Sequence, residues 1–78
     1  MTELKIGTQG QQVFKFYDYF TKWATSYSFL LGSRDGYYGN NEANFTRELQ
    51  RRLGLPITGV FGDVEAISTG FKFSPPPP

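Results

Sequence analysis

The chain has 78 residues, enough for one small domain, and a chain this short buries only about 60% of the surface it exposes when unfolded. Hydrophobic residues make up 38% of it and aromatic residues 18%, so eight Phe, five Tyr and one Trp must supply much of the core. The absence of Cys excludes a disulfide framework and a thiolate metal site; the absence of His removes the usual neutral-pH base and the commonest metal ligand; a net charge of +1 does not mark a dedicated polyanion binder.

No apolar run approaches the roughly 20 residues that cross a bilayer, so no membrane insertion is expected. Met1-Thr2-Glu3-Leu4-Lys5 has neither the basic start nor the apolar stretch of a signal peptide. These features disfavour an enzyme, a membrane protein and a disulfide miniprotein. A small binding module is the default expectation.

Leu4 to Gly10 reads as an extended lead-in and a turn, with Thr8 a candidate N-cap. A first helix is predicted from about Gln11 to Tyr27. Val13, Phe16, Phe20 and Ala24 recur at spacings of three and four and form its apolar stripe, with Tyr17 and Tyr27 beside it. Phe14, Tyr19 and Trp23 do not fit that stripe, and Tyr19 and Trp23, four apart, share a second face. The helix is therefore either buried on two sides or open to a partner on one aromatic face. Ser28 to Leu31 either extends this helix or forms an extended stretch, and Gly32 to Gly36 is a loop.

Asn40 or Asn41 can cap a second helix running to about Leu53, with Glu42 opposing the dipole in its first turn. Phe45, Leu49 and Leu53 form its buried stripe, and Glu48 and Arg52 are an i,i+4 pair in the favourable orientation. Gly54 is the left-handed C-cap, Leu55 can fold back on it, and Pro56 prevents resumption. After a second loop, Asp63 can cap a short third helix to about Thr69 that buries Val64 or Ala66 with Ile67. Phe71 and Phe73 fold back onto the core. Residues 1–73 thus form the domain. Ser74 and Pro75 to Pro78 read as a polyproline II linker, from which the natural polypeptide is expected to continue.

Asp35-Gly36-Tyr37-Tyr38-Gly39-Asn40-Asn41-Glu42 aligns with Thr58-Gly59-Val60-Phe61-Gly62-Asp63-Val64-Glu65 at an offset of 23 residues. The shared pattern is Gly, any residue, aromatic, Gly, two residues, Glu. It describes a loop-to-helix unit used twice. The first Gly permits a positive φ, the aromatic plugs the core, and the Glu reaches back to free amides of the first turn. The fold class expected is all-α, with three helices and two Gly-x-aromatic-Gly loops.

Three pieces in order carry a family resemblance: Leu4 to Val13 with its Gly-x-x-Gly, Asp35-Gly36-Tyr37-Tyr38-Gly39, and Gln50 to Gly62. Together they resemble the peptidoglycan-binding-domain-1 family, over about residues 4 to 70. The chain departs from that family's usual pattern at Tyr17, Glu42, Glu65 and Thr58. Its connection between first helix and first loop is also longer and more aromatic than average. In that connection it looks most like the N-terminal domain of mycobacteriophage lysis esterases. The resemblance implies a three-helix domain that binds peptidoglycan or the mycobacterial cell-wall complex without catalysis. It would target a lysis enzyme whose hydrolase domain lies downstream. Such a protein is made in the host cytoplasm and reaches the wall after the membrane is opened.

Candidate ligand-binding residues follow from chemistry and from that resemblance. Tyr37 and Tyr38 point in different directions; Tyr38 matches Phe61 and belongs to the core, which leaves Tyr37 exposed, either incidentally or to stack on a sugar face or acyl chain. Asp35 holds its loop and, by the resemblance, rims the groove. Arg47, Arg51 and Arg52 make the second helix basic, suited to wall carboxylates or phosphates or simply a solvated face. Gln50 matches a family position and could bond a peptide carbonyl. Tyr19 and Trp23 are core, a ligand platform, or a dock for an adjoining catalytic domain. Asp18, Asp63, Glu42 and Glu65 form no convincing acid–base pair, and the serines lack both a His and a Gly-x-Ser-x-Gly elbow. No catalytic residue, metal or cofactor is expected. An Arg-rich helix is similar to a helix-turn-helix reader, but the charge and the Gly-rich loops argue against nucleic acid as partner.

Overall fold

In the computed structural model, which describes residues 3–74, helix α1 spans Gln11–Trp23, α2 spans Asn40–Leu53 and α3 spans Asp63–Thr69, with a 3₁₀ turn at Ser28–Leu31. Among the described residues no strand forms. Two isolated antiparallel bridges, Leu4 with Phe61 and Gln9 with Tyr37, tie the N-terminal segment down. The domain is all-α with three helices. Pro75 to Pro78 lie outside the described residues.

The periodic stripes become the core. Val13, Phe16, Phe20 and Ala24 of the first stripe are buried, as are Phe45 and Leu49 of α2. Phe16 sits at the centre, with ring centroids 5.0 Å from Phe20 and Phe61, 5.7 Å from Tyr38, 5.8 Å from Phe45 and 6.3 Å from Phe71. Most of these pairs are tilted or edge-on, the arrangement the ring quadrupole favours. Each fully buried Phe contributes about 1.5–3 kcal/mol, which is how 78 residues with few aliphatics still make a core.

The repeated unit folds twice in the same way. Gly36 and Gly59 have φ of 69° and 78°. Tyr38 and Phe61 are both fully buried. Each makes a reciprocal pair of backbone hydrogen bonds to the lead-in: the amide of Tyr38 donates to Thr8 and its carbonyl accepts from Gly7, while Phe61 exchanges both bonds with Leu4. Gly39 and Gly62 are the N-caps of α2 and α3, and the Glu three residues on accepts their amides at 2.9 and 2.8 Å. The lead-in is therefore a strap across both loops.

Several local expectations change. α1 ends at Trp23 and not at Tyr27, because the chain turns at Ala24 to lay Tyr27 parallel to Phe45, centroids 5.1 Å apart. Ser28–Leu31 is neither α-helix nor extended; a 3₁₀ turn buries Leu31. The caps of α2 and α3 are Gly39 and Gly62, not Asn40, Asn41 or Asp63, because Glu42 and Glu65 lie three residues past the glycines and accept their amides, which sets the register of each helix start. Thr8 caps no helix; its hydroxyl accepts the Lys5 amide, and Gly10 precedes α1. In α3, Ala66 is buried, but Val64 is 56% and Ile67 82% exposed. The cause is Glu65. Its carboxylate is held by Gly62 and Gln50, which fixes the rotation of α3 and turns positions 64 and 67 outward.

Candidate functional site

Two depressions share a wall on one side of the domain. The larger is a trough of about 720 Å³ along the outward face of α1. Gln11, Phe14, Lys15, Asp18, Tyr19, Lys22 and Trp23 line it, all from one helix, with Arg34 and Ser74 at its edges. Their spacing of three, four and one is the same helical period that made the core stripe, displaced to the opposite face. Phe14 lies beneath the Arg34 guanidinium, 4.6 Å from ring centroid to Cζ. Arg34 also donates twice to Asp18, at 2.7 and 2.8 Å. That fork holds the Asp18 carboxyl below the usual carboxylate range and raises Arg34. With Asp18 so engaged, Lys15 and Lys22 are the uncompensated charges. Lys15 also reaches the Ser74 hydroxyl and the Phe71 face. Lys22 makes no ion pair among the described residues.

The smaller depression, about 280 Å³, lies in the first loop. Its lining includes Ser33, Asp35, Tyr37, Asn40 and Asn41, over Leu31, Gly39 and Glu42. Asp35 Oδ1 accepts the Tyr37 amide at 3.1 Å and sets the loop. The Tyr37 ring lies across Gly39, where an added Cβ would stand 3.0 Å from a ring carbon. The ring is 40% exposed. The side chains of Ser33, Asn40 and Asn41 make no hydrogen bond among the described residues, leaving their donors and acceptors for a ligand.

Residues 33 to 35 form the wall between the two. Ser33 and Asp35 face the loop groove, and Arg34 between them faces the trough. Ser33, Arg34 and Asp35 thus separate a surface of hydroxyl, amide and carboxylate groups from a cationic, aromatic one.

Of the seven candidates, Tyr19 and Trp23 line the trough, and Asp35 and Tyr37 line the loop groove. Tyr19 also works in the fold: its hydroxyl donates to the Thr69 carbonyl at 2.6 Å and its ring packs on Phe20 and Phe71. Trp23 stands edge-on to Phe20 and is 44% exposed. The other three are placed elsewhere, and for Gln50 this corrects the expectation drawn from sequence. Gln50 is fully buried, and both ends of its amide are used. Its Nε2 donates to Thr58, Val60 and Glu65, and its Oε1 accepts the amides of Thr58 and Gly59. No ligand carbonyl can reach it. Arg51 and Arg52 both close on Glu48, which lowers the Glu48 carboxyl and raises Arg51. Arg52 also covers the Tyr27 ring at 4.2 Å. Arg47 donates to Asn44 at 2.7 Å and lies against Gly59. None of these arginines lines either depression.

Sequence reading missed Phe14, Lys15, Lys22 and Arg34 in the trough, and Ser33, Asn40 and Asn41 in the loop groove. The trough was signalled by the second helical stripe through Gln11, Lys15, Asp18 and Lys22. The two asparagines read as caps, and the bare glycine ahead of them took that role. No helix among the described residues is long and apolar enough to cross a membrane, and they hold no group of three His, Cys, Asp or Glu placed to bind a metal. No protein-family model, curated protein or solved structure matches this chain.

Proposed function

We propose that this chain is a non-catalytic module that binds bacterial cell-wall peptidoglycan and holds a phage lysis enzyme at the envelope. One observation carries the reading: the wall at residues 33 to 35, with a groove of hydroxyl, amide and carboxylate groups around Tyr37 on one side and a cationic, aromatic trough on the other. Peptidoglycan is a polyol chain bearing carboxylated peptides. A sugar ring suits Tyr37 with Ser33, Asp35, Asn40 and Asn41. The peptide carboxylates suit Lys15 and Lys22, and the peptide's apolar groups suit Phe14 and Trp23. Weak binding suffices, because tethering converts it into a high local concentration of the attached enzyme. The resemblance over residues 4 to 70 supports the same reading, in which the enzyme acts at the wall after the membrane is opened.

A second reading keeps the fold and replaces the ligand by an adjoining catalytic domain docked on α1. It is favoured by Ser74, whose backbone is held at both polar atoms by Gln12 at 3.1 Å and which itself lines the trough.

Co-sedimentation separates the two. Folded protein should pellet with bare peptidoglycan, and Tyr37→Ala, Trp23→Ala and Lys22→Glu should each weaken pelleting. Arg47→Ala and Arg51→Ala should not. Pelleting only with the intact mycolyl-arabinogalactan-peptidoglycan complex would move the ligand to the outer layers. Folded protein that pellets with neither would defeat wall binding and leave the docking reading.

A further inference from the structure

The second loop follows the plan of the first, but its surface has changed in kind. It carries a groove of about 560 Å³, against about 280 Å³ at the first. The two linings correspond through the 23-residue offset. Ser33, Tyr37 and Asn41 stand where Pro56, Val60 and Val64 stand. All three polar or aromatic positions have become aliphatic or proline. Val60 carries no ring at the position where Tyr37 stands in the first loop. The fold does not need these residues for its core, since Phe61 and Ala66 already fill that role, and Val64 is 56% exposed. Ile57 and Ile67, on the same loop and helix, are exposed as well.

The rim is acidic. Glu3, Asp63 and Glu65 border the groove. Glu65 is committed to Gly62 and Gln50. Asp63 makes no ion pair among the described residues, and Glu3 has only the exposed Lys5, 3.8 Å away, a contact a competing cation exchanges at little cost. An aliphatic floor beneath two available carboxylates is complementary to an aliphatic strand carrying lysine or arginine.

We propose that this groove docks a cationic, aliphatic peptide segment of a partner protein, the aliphatic side chains lying on Pro56, Val60 and Val64 and the cations against Glu3 and Asp63. The inference is independent of the wall-binding reading, because it uses none of the same residues.

The test is amide chemical-shift mapping on the ¹⁵N-labelled full chain, titrated with an acetylated, amidated peptide LKVKL and separately with its acidic counterpart LEVEL. The basic peptide should move amides of residues 57–65 and of Glu3 in a saturable way, with a dissociation constant near or below about 1 mM. Asp63→Asn should weaken it about threefold and Val64→Lys at least about fivefold, with the remaining spectrum unchanged, because position 64 is exposed. The acidic peptide should leave the spectrum as it was. Equal response to both peptides, no response up to about 5 mM, or shifts confined to the first loop would each overturn the proposal. Concentration-dependent shifts of the same amides without peptide would assign the groove to a second copy, and would overturn it too.

Discussion

Gln50→Leu isolates the side chain on which the second loop depends. The leucine keeps roughly the volume of glutamine and removes, from a site with no solvent exposure, two N–H donors shared among Thr58, Val60 and Glu65 and an acceptor for the Thr58 and Gly59 amides. The Thr58 hydroxyl and amide belong to an exposed residue and can turn to water, so they cost little. The Gly59 amide and the Val60 carbonyl cannot do so freely; orphaned buried groups cost about 1–3 kcal/mol each. Glu65, only 8% exposed, keeps the Gly62 amide but loses its second donor, at about 1.5–3 kcal/mol for a bond to a charged group. The apolar burial that leucine adds returns about 1 kcal/mol. With each cost at the low end of its range the net loss is about 2.5 kcal/mol, against a total of about 4–12 kcal/mol for a chain this size. In urea, with m near 1 kcal/mol/M, the midpoint should fall by at least about 2.5 M at unchanged m, followed by far-ultraviolet circular dichroism. Gln50→Glu adds a contrast. Its new carboxylate would face Glu65 and the Val60 carbonyl, so its pKa would be raised in the fold. Stability would then be highest at acid pH, where that carboxyl is protonated, and would fall as pH rises through its folded pKa. A Gln50→Leu midpoint within about 1 M of the parent would refute the view that this amide organises the loop.

Further outcomes follow from the same geometry. Trp23 is the single tryptophan, so peptidoglycan fragments should change its fluorescence, and Lys22→Glu should weaken that response about threefold or more while flattening its salt dependence. Gly36→Ala should cost about 2–4 kcal/mol in thermal or urea melts, since φ is 69° and the new Cβ would meet the Phe14 ring at about 2.5 Å; Gly54→Ala, with φ 73° and open space, should cost only about 1 kcal/mol. Glu48 and Asp18 titrate below their ordinary range in the fold, so their contribution is complete above the unfolded carboxylate pKa and lost as pH falls through the folded one; Glu48→Gln should flatten the acid limb of stability against pH. Burial pushes the Tyr38 phenol well above its usual range, so its contribution is present below the unfolded pKa of about 10 and lost as pH rises beyond it; spectrophotometric titration should show Tyr38 ionising only as the chain unfolds.

The helices and their inner faces were legible in the residue order. Val13, Phe16 and Phe20 on one stripe, Phe45 and Leu49 on another, the Gly54 C-cap and the Glu48–Arg52 pair all depend on neighbours within a turn or two. The 23-residue repeat was legible for the same reason: a glycine at positive φ, an inward aromatic and a glutamate three residues past a bare amide are local solutions to starting a helix. Half the candidate site was visible too. Tyr37 could be separated from Tyr38 by matching the repeats, and the second aromatic face of α1 was apparent from the spacing of Tyr19 and Trp23.

The tertiary structure decided the rest. Gln50 read as a solvent-facing glutamine, and only the return of loop two, eight to fifteen residues further on, buries it and uses both ends of its amide. The wall at residues 33 to 35 depends on Arg34 meeting Asp18 and Phe14 on another element, sixteen and twenty positions earlier. Ile67 was expected inside, and the anchoring of Glu65 to Gly62 and Gln50 turned it out. The sequence by itself determined what each segment does within its own few turns, because those energies are local. Which side chains meet across the domain, and so which charges are spent and which face a ligand, follows from packing distant segments into one core.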